Sequence, residues 1–145
     1  MADYIGTTRT NYFRVTDEDA YQELFDGLVS GEGEVYDFTR IEEDGSRVHG
    51  FGCYGDIGWC VEKDDEDANP YEGMSEFFAR MAEILADGEV LCVMAVGWEK
   101  LRYLYGAVSI TAKGKPTTYA TLERLAESIA RELTEDEELV VDCTY

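Results

Sequence analysis

A hairpin signal does most to limit what this chain can fold into. Asp44-Gly45 stands between two extended runs, EVYDFTRIEE (34–43) and SRVHGFGCY (46–54). An Asp-Gly pair supplies the positive φ that a tight hairpin turn demands, so the flanking runs are expected to pair antiparallel. DYIGTTRTNYFRV (3–15), rich in β-branched and aromatic residues, reads as a further strand, as does GWCVEK (58–63). VLCVMAVGW (90–98) is a nearly continuous apolar run, which predicts a strand buried on both faces. LRYLYGAVSITAK (101–113) follows it directly, Gly114 marks a turn, and PTTYAT (116–121) is expected to pair back as a short strand.

Helical periodicity occurs in three places. Thr16 is the expected N-cap of the first helix, with Asp17, Glu18 and Asp19 in the turn where the helix dipole favours them. Tyr21, Leu24, Phe25 and Leu28 follow at helical spacing, and Gly31 is the expected stop. MSEFFARMAEILADG (74–88) places Met74, Phe77, Phe78, Met81, Ile84 and Leu85 on one face, with Gly88 as its stop. LERLAESIAREL (122–133) turns Leu122, Leu125, Ile129 and Leu133 to one side, expected to face inward. ELVVDCTY (138–145) reads as a closing strand. The expected order is β-α-β-β-β-α-β-β-(β)-α-β. Hairpins dominate and regular βαβ alternation is absent, so the chain is expected to be a single α+β domain over 1–145, with a mainly antiparallel sheet and about three amphipathic helices.

Charge limits function more than fold. The chain carries 32 acidic and 12 basic residues, a formal net charge of −20. Such a protein repels nucleic acid and anionic membranes and attracts basic surfaces. No apolar run is long enough to span a bilayer and the N-terminus lacks the apolar region of a signal peptide, so a cytoplasmic protein is expected. Cys53, Cys60, Cys92 and Cys143 contain no C-x-x-C pair, and His49 is the one histidine. Free thiols are expected, with neither a metal site nor a cofactor.

Three motifs invite a chemical reading. Gly50, Gly52 and Gly55 spell G-x-G-x-x-G, but the residues that follow have strand character. A dinucleotide loop must instead open a helix whose amides receive the phosphates. A glycine-rich hairpin with close backbone contacts is the preferred reading. Asp65, Asp67, Asn69, Tyr71 and Glu76 approach the spacing of a Ca²⁺ loop, but Pro70 occupies the position that needs glycine. Trp98, Lys100, Arg102, Tyr103 and Tyr105, with Lys113 and Lys115 nearby, interleave aromatic and basic side chains as single-strand binders do. The plainer expectation is that these cations pair with the abundant acids. His49 has no evident nucleophile beside it, and no catalytic residue is assigned.

The acids themselves are clustered at 17–19, 42–44, 64–67 and 135–138, in helix starts, turns and loops. Twenty charges are what about 34 Å of duplex DNA presents, close to the roughly 38 Å breadth of a globule of this length. A DNA-mimicking surface is therefore physically possible. Asp64, Asp65, Glu66 and Asp67, then Glu42, Glu43 and Asp44, are the expected partner-binding residues.

YIGTTRTNYFRVTDEDAYQELF (4–25), VHGFGCYG (48–55) and EKLRYLYGAVSIT (99–111), under a third of the chain, resemble small accessory proteins of mobile elements and phages of anaerobic gut bacteria. Such elements carry anti-restriction and anti-CRISPR proteins, several of which are acidic mimics of nucleic acid. The resemblance implies an inhibitor, not an enzyme, whose partner is a basic nucleic-acid-binding protein such as a CRISPR effector or restriction enzyme. It brings no site residue with it. An acidic adaptor with no nucleic-acid-related target, or an enzyme using the 98–105 region, are the alternatives.

Overall fold

The computed structural model describes residues 4–62 and 66–141. Its centre is an antiparallel six-stranded sheet. β1 (Ile5–Thr10) lies between β6 (Phe51–Tyr54) and β8 (Val90–Glu99). β8 pairs along its whole length with β9 (Tyr103–Ala112), from Val90↔Ala112 to Glu99↔Tyr103, and β10 (Thr118–Thr121) closes that edge. β3 (Tyr36–Asp37) closes the other, giving the order β10-β9-β8-β1-β6-β3. Two small antiparallel pairs, β2 (Leu28–Ser30) with β7 (Ile57–Trp59) and the hairpin β4 (Arg40–Ile41) with β5 (Arg47–Val48), stand outside it. The α+β class and the antiparallel sheet expected from the sequence are present.

The hairpin at Asp44-Gly45 forms as the turn residues require. Gly45 has φ +85° and Glu42 N–H donates to Ser46 O at 2.8 Å. The run 34–43 does not remain one strand. Asp37 Oδ1 accepts from Thr39 N–H at 2.8 Å, a local turn that breaks the run, so 36–37 pair with β6 and 40–41 with β5. The expected strand 58–63 is centred earlier, on 57–59. Of the expected closing strand, 138–141 are not in a strand and 142–145 lie outside the described residues.

Two helices cover one face of the sheet. α1 (Glu18–Asp26) is capped by Asp17, whose carboxylate accepts from Ala20 N–H at 3.0 Å; Thr16, the expected cap, instead bonds Ile84 O. The helix ends at Gly27, not Gly31. A Cβ at Gly27 would lie 2.6 Å from Cys60 O, and Trp59 Nε1–H donates to Leu24 O at 2.9 Å, so the indole needs that space. α2 (Met74–Ile84) stops four residues before Gly88 because Leu85, fully buried, leaves the helix to bridge Val15. Phe77, Met81 and Leu85 from this segment meet Tyr21, Leu24, Phe13, Phe51, Leu91 and Val93 in the core.

The other face of the sheet corrects two expectations. Along β8, Leu91 and Val93 are buried against the helices, whereas Met94 is 57 % and Trp98 43 % exposed on the far side. β8 is thus buried on one face only. α3 (Leu122–Thr134) lies along β9 and β10 on that far side, and its apolar residues do not face inward. Leu122, Leu125, Ile129 and Leu133 are 49–80 % exposed. No helix of the described residues is long and apolar enough to cross a membrane.

Candidate functional site: an acidic ridge and a tyrosine cleft

The fold gathers acids that the sequence keeps apart. Asp17, Glu18 and Asp19 open α1, and the 40–48 hairpin is tied beside them. Glu18 bonds His49 Nε2 at 2.7 Å and lies 4.0 Å from Arg47. Arg14 reaches both Ser46 in the hairpin and Glu89 before β8. Three acidic segments, 17–19, 42–44 and 87–89, therefore share one end of the molecule. Within the hairpin, Glu42 is paired with Arg40 at 3.1 Å, while Glu43 and Asp44 are exposed. Ser46 donates to the Asp44 carboxylate through its hydroxyl, at 2.6 Å, and its backbone, which holds this acid below the ordinary carboxylate range.

From this end α1 runs on with Glu23 and Asp26 exposed. A nine-residue helix is about 14 Å long. At its far end the loop after β7 begins, fastened by Cys60 N–H to Gly27 O at 3.0 Å and by Trp59 N–H to Pro70 O at 2.8 Å. Glu62, Glu66 and Asp67 are exposed on that loop; Asp64 and Asp65 lie outside the described residues. The 42–44 cluster thus stands at the start of α1, and the loop that carries Glu62, Glu66 and Asp67 leaves from beside its other end; with Glu23 and Asp26 these described acids make up the candidate acidic ridge. Glu23 and Asp26 occur singly in the sequence, so clustering of acids does not point to them. The cluster at 135–138 follows α3, away from this ridge.

The glycine motif holds no phosphate site. Gly52 lies within β6, where an added Cβ would meet Thr8 O at 2.9 Å, and Gly55 turns the chain at φ +76° toward β7, not into a helix. The 98–105 patch is split by the strand alternation. Trp98 faces the far side of the sheet, whereas Tyr103 and Tyr105 share the helix-covered side with Val93 and Ala95. Arg102 pairs with Glu99, and Lys113 lies 3.3 Å from Asp87. Two of its four cations, Arg102 and Lys113, are thus paired locally, as the plainer expectation had it; Lys100 and Lys115 form no salt bridge among the described residues.

His49 has a nucleophile-bearing neighbour that the sequence did not reveal. Its Nδ1 is 2.9 Å from Thr39 Oγ1 and its Nε2 is bonded to Glu18. The arrangement resembles a relay, but it joins three elements of the fold: the hairpin, α1 and the chain after β1. The ring lies 4.0 Å from that of Tyr21, and His49 and Phe13 exchange both backbone hydrogen bonds, at 2.8 and 2.9 Å. A histidine pinned on every side holds the hairpin to α1.

A cleft occupies the part of the helix-covered face that the helices leave open. This cleft of about 680 Å³ has a floor of small residues, among them Thr8, Ala95, Ala107 and Ser109. Tyr4, Tyr71, Tyr103, Tyr105 and Tyr119 and the carboxylate of Asp56 stand around it, and no basic residue among the described ones lines it. Burial raises the Tyr4 and Tyr105 hydroxyls above the ordinary phenol range, and the charge of Asp56 adds to both shifts. Tyr105 also shares its hydroxyl with Tyr119 at 3.0 Å. Such a cleft disfavours anions and suits neutral or cationic groups.

No protein-family model matches the chain, and neither a curated protein nor a solved structure does.

Proposed function

We propose that this chain is a non-catalytic inhibitor that offers its acidic ridge to a nucleic-acid-handling defence protein, a CRISPR effector or restriction enzyme, and blocks access of nucleic acid by occupancy. The observation that carries the reading is that the acidic segments 17–19 and 42–44, far apart in the sequence, meet at the start of α1 through Glu18, His49 and Arg47, while Glu23 and Asp26 are exposed further along the helix. Carboxylates in such a row would meet Arg and Lys side chains that otherwise hold phosphates, with Arg often bidentate. The resemblance of 4–25, 48–55 and 99–111 to accessory proteins of mobile elements supports the class of target. Encounter would be fast and salt-sensitive, because the net charge of −20 steers basic surfaces toward the protein.

A pull-down from cells expressing CRISPR and restriction systems tests this, run at low and moderate salt. The reading expects a DNA-binding effector that salt or added duplex DNA releases, and that a Glu43→Lys, Glu66→Lys, Asp67→Lys variant fails to hold. Capture of partners indifferent to DNA and to this variant would contradict it.

The tyrosine cleft favours a second reading, in which the chain binds an organic cation such as an alkylammonium or guanidinium group. Tyrosine fluorescence titrated with tetramethylammonium and with arginine methyl ester would respond saturably, and Asp56→Asn would weaken the response. No response to either cation would exclude this reading.

A further inference from the structure

We infer that the chain is a two-fold dimer in which the far face of the sheet, opposite α1 and α2, is buried against a second copy. On that face Ile5, Met94, Val96, Trp98, Leu104 and Ile110 are 41–63 % exposed, although they lie in neighbouring central strands of a well-paired sheet. Beside them, Leu122, Leu125, Ile129 and Leu133 form an apolar stripe along α3, 49–80 % exposed, and no residue of that helix is buried. At about 90 Å² for each half-exposed side chain of this size, the ten leave on the order of 900 Å² of apolar surface open. The largest patch of a typical monomer is about 300–600 Å². A stable association buries about 800 Å² on each partner.

A second copy is favoured because one chain supplies both halves of the contact. Leu122 stands directly over Gly106, where a Cβ would collide with it, and Leu125 lines the same groove of about 270 Å³ with Met94 and Val96. α3 thus covers only the β9–β10 edge, while β8 and β1 stay bare, a raised apolar ridge beside an apolar floor. A two-fold axis sets the ridge of each copy on the floor of the other, so both are buried in one step and the interface closes on itself. Charge permits it. No carboxylate projects from β1, β8 or β9 on this side, since Ile5, Thr7 and Arg9 on β1 face it with Met94, Val96 and Trp98 on β8. The acidic ridge lies with α1 on the opposite side of the sheet. The two net charges of −20 repel over distance, so added salt strengthens this association.

The direction of the salt effect separates this inference from the functional proposal, whose complex salt weakens. Sedimentation equilibrium of the full chain at low and moderate salt tests it against the monomer mass of 16.3 kDa. A dimer is expected by about 10 μM, and Kd is expected to fall as salt rises. Leu125→Lys with Ile129→Lys should raise Kd by about 100-fold or more, and Met94→Lys on the floor should do likewise. Circular dichroism should show the native fold in all of them, since these side chains are already exposed. A wild-type monomer at about 100 μM in both salts would overturn the inference. So would a dimer untouched by both the ridge and the floor variants.

Discussion

Tyr21 is the residue at which burial and polarity conflict most openly. Its ring is 3 % exposed and packs on Phe13 and His49, yet its hydroxyl finds no hydrogen-bond partner among the described residues. Burial, and secondarily the charges of Asp37 and Glu18, push its pKa well above the usual phenol value. The native state therefore holds the proton that the unfolded chain releases above about pH 10, and this contribution to stability is lost as pH rises beyond that. Tyr21→Phe removes an orphaned hydroxyl and a titrating group together. Denaturation by urea should show it equal to wild type or up to about 1 kcal/mol more stable at neutral pH, and less weakened than wild type at high pH. A loss of more than that at neutral pH would mean the hydroxyl is satisfied. His49→Ala has the opposite sign. It empties a packed site and strips Glu18 and Thr39 of their shared partner, so a loss of about 2–4 kcal/mol is expected in the same assay. The glycines act on backbone spacing. Gly52→Ala would press a Cβ on Thr8 O across the β1–β6 pair and should cost about 1–3 kcal/mol.

At the scale of elements, the helices divide into two that make the core and one that does not. Truncating Phe77 on α2 should cost about 3–5 kcal/mol, whereas Ile129→Ala on α3 should stay within about 0.5 kcal/mol when measured on the dissociated chain. The same division explains what was legible in the sequence. Period and turn chemistry located all three helices, the Asp44-Gly45 hairpin and the long 90–113 pair, because these signals are local. Whether an apolar stripe has a partner is not local. Leu91 and Met94 look alike in the run 90–98, and the stripe of α3 reads no differently from that of α2. Only the assembled sheet decides which of them the core covers. The helix ends escaped for a related reason: Gly27 stops α1 because Trp59 packs there, and Leu85 stops α2 because Val15 bridges it. The acidic clusters were legible as clusters. That 17–19 and 42–44 meet depends on the hairpin being tied to α1 through His49, which sequence spacing does not encode, and Glu23 and Asp26 stand singly, outside any cluster. Reversing those two, Glu23→Lys with Asp26→Lys, should weaken partner capture by on the order of tenfold or more while leaving the melting temperature nearly unchanged.

The whole molecule is two-faced. Its sheet carries a core and two helices on one side, with an acidic ridge along α1. On the other side lie bare strands and the apolar stripe of α3. The asymmetry would give each side a distinct response to ionic strength: contacts proposed for the ridge would weaken with salt, and those proposed for the sheet face would strengthen. In the proposed dimer the two acidic ridges would point away from each other, so each copy would keep the surface proposed to bind the partner. The most direct test of the ridge is a competition at fixed salt. A basic effector recovered by the protein is loaded with labelled duplex DNA, and the fluorescence anisotropy of the DNA is followed as the protein is added. DNA is expected to be released stoichiometrically, the Lys-substituted ridge to release far less, and added salt to weaken the competition. An effector that keeps its DNA while the protein is bound would contradict it.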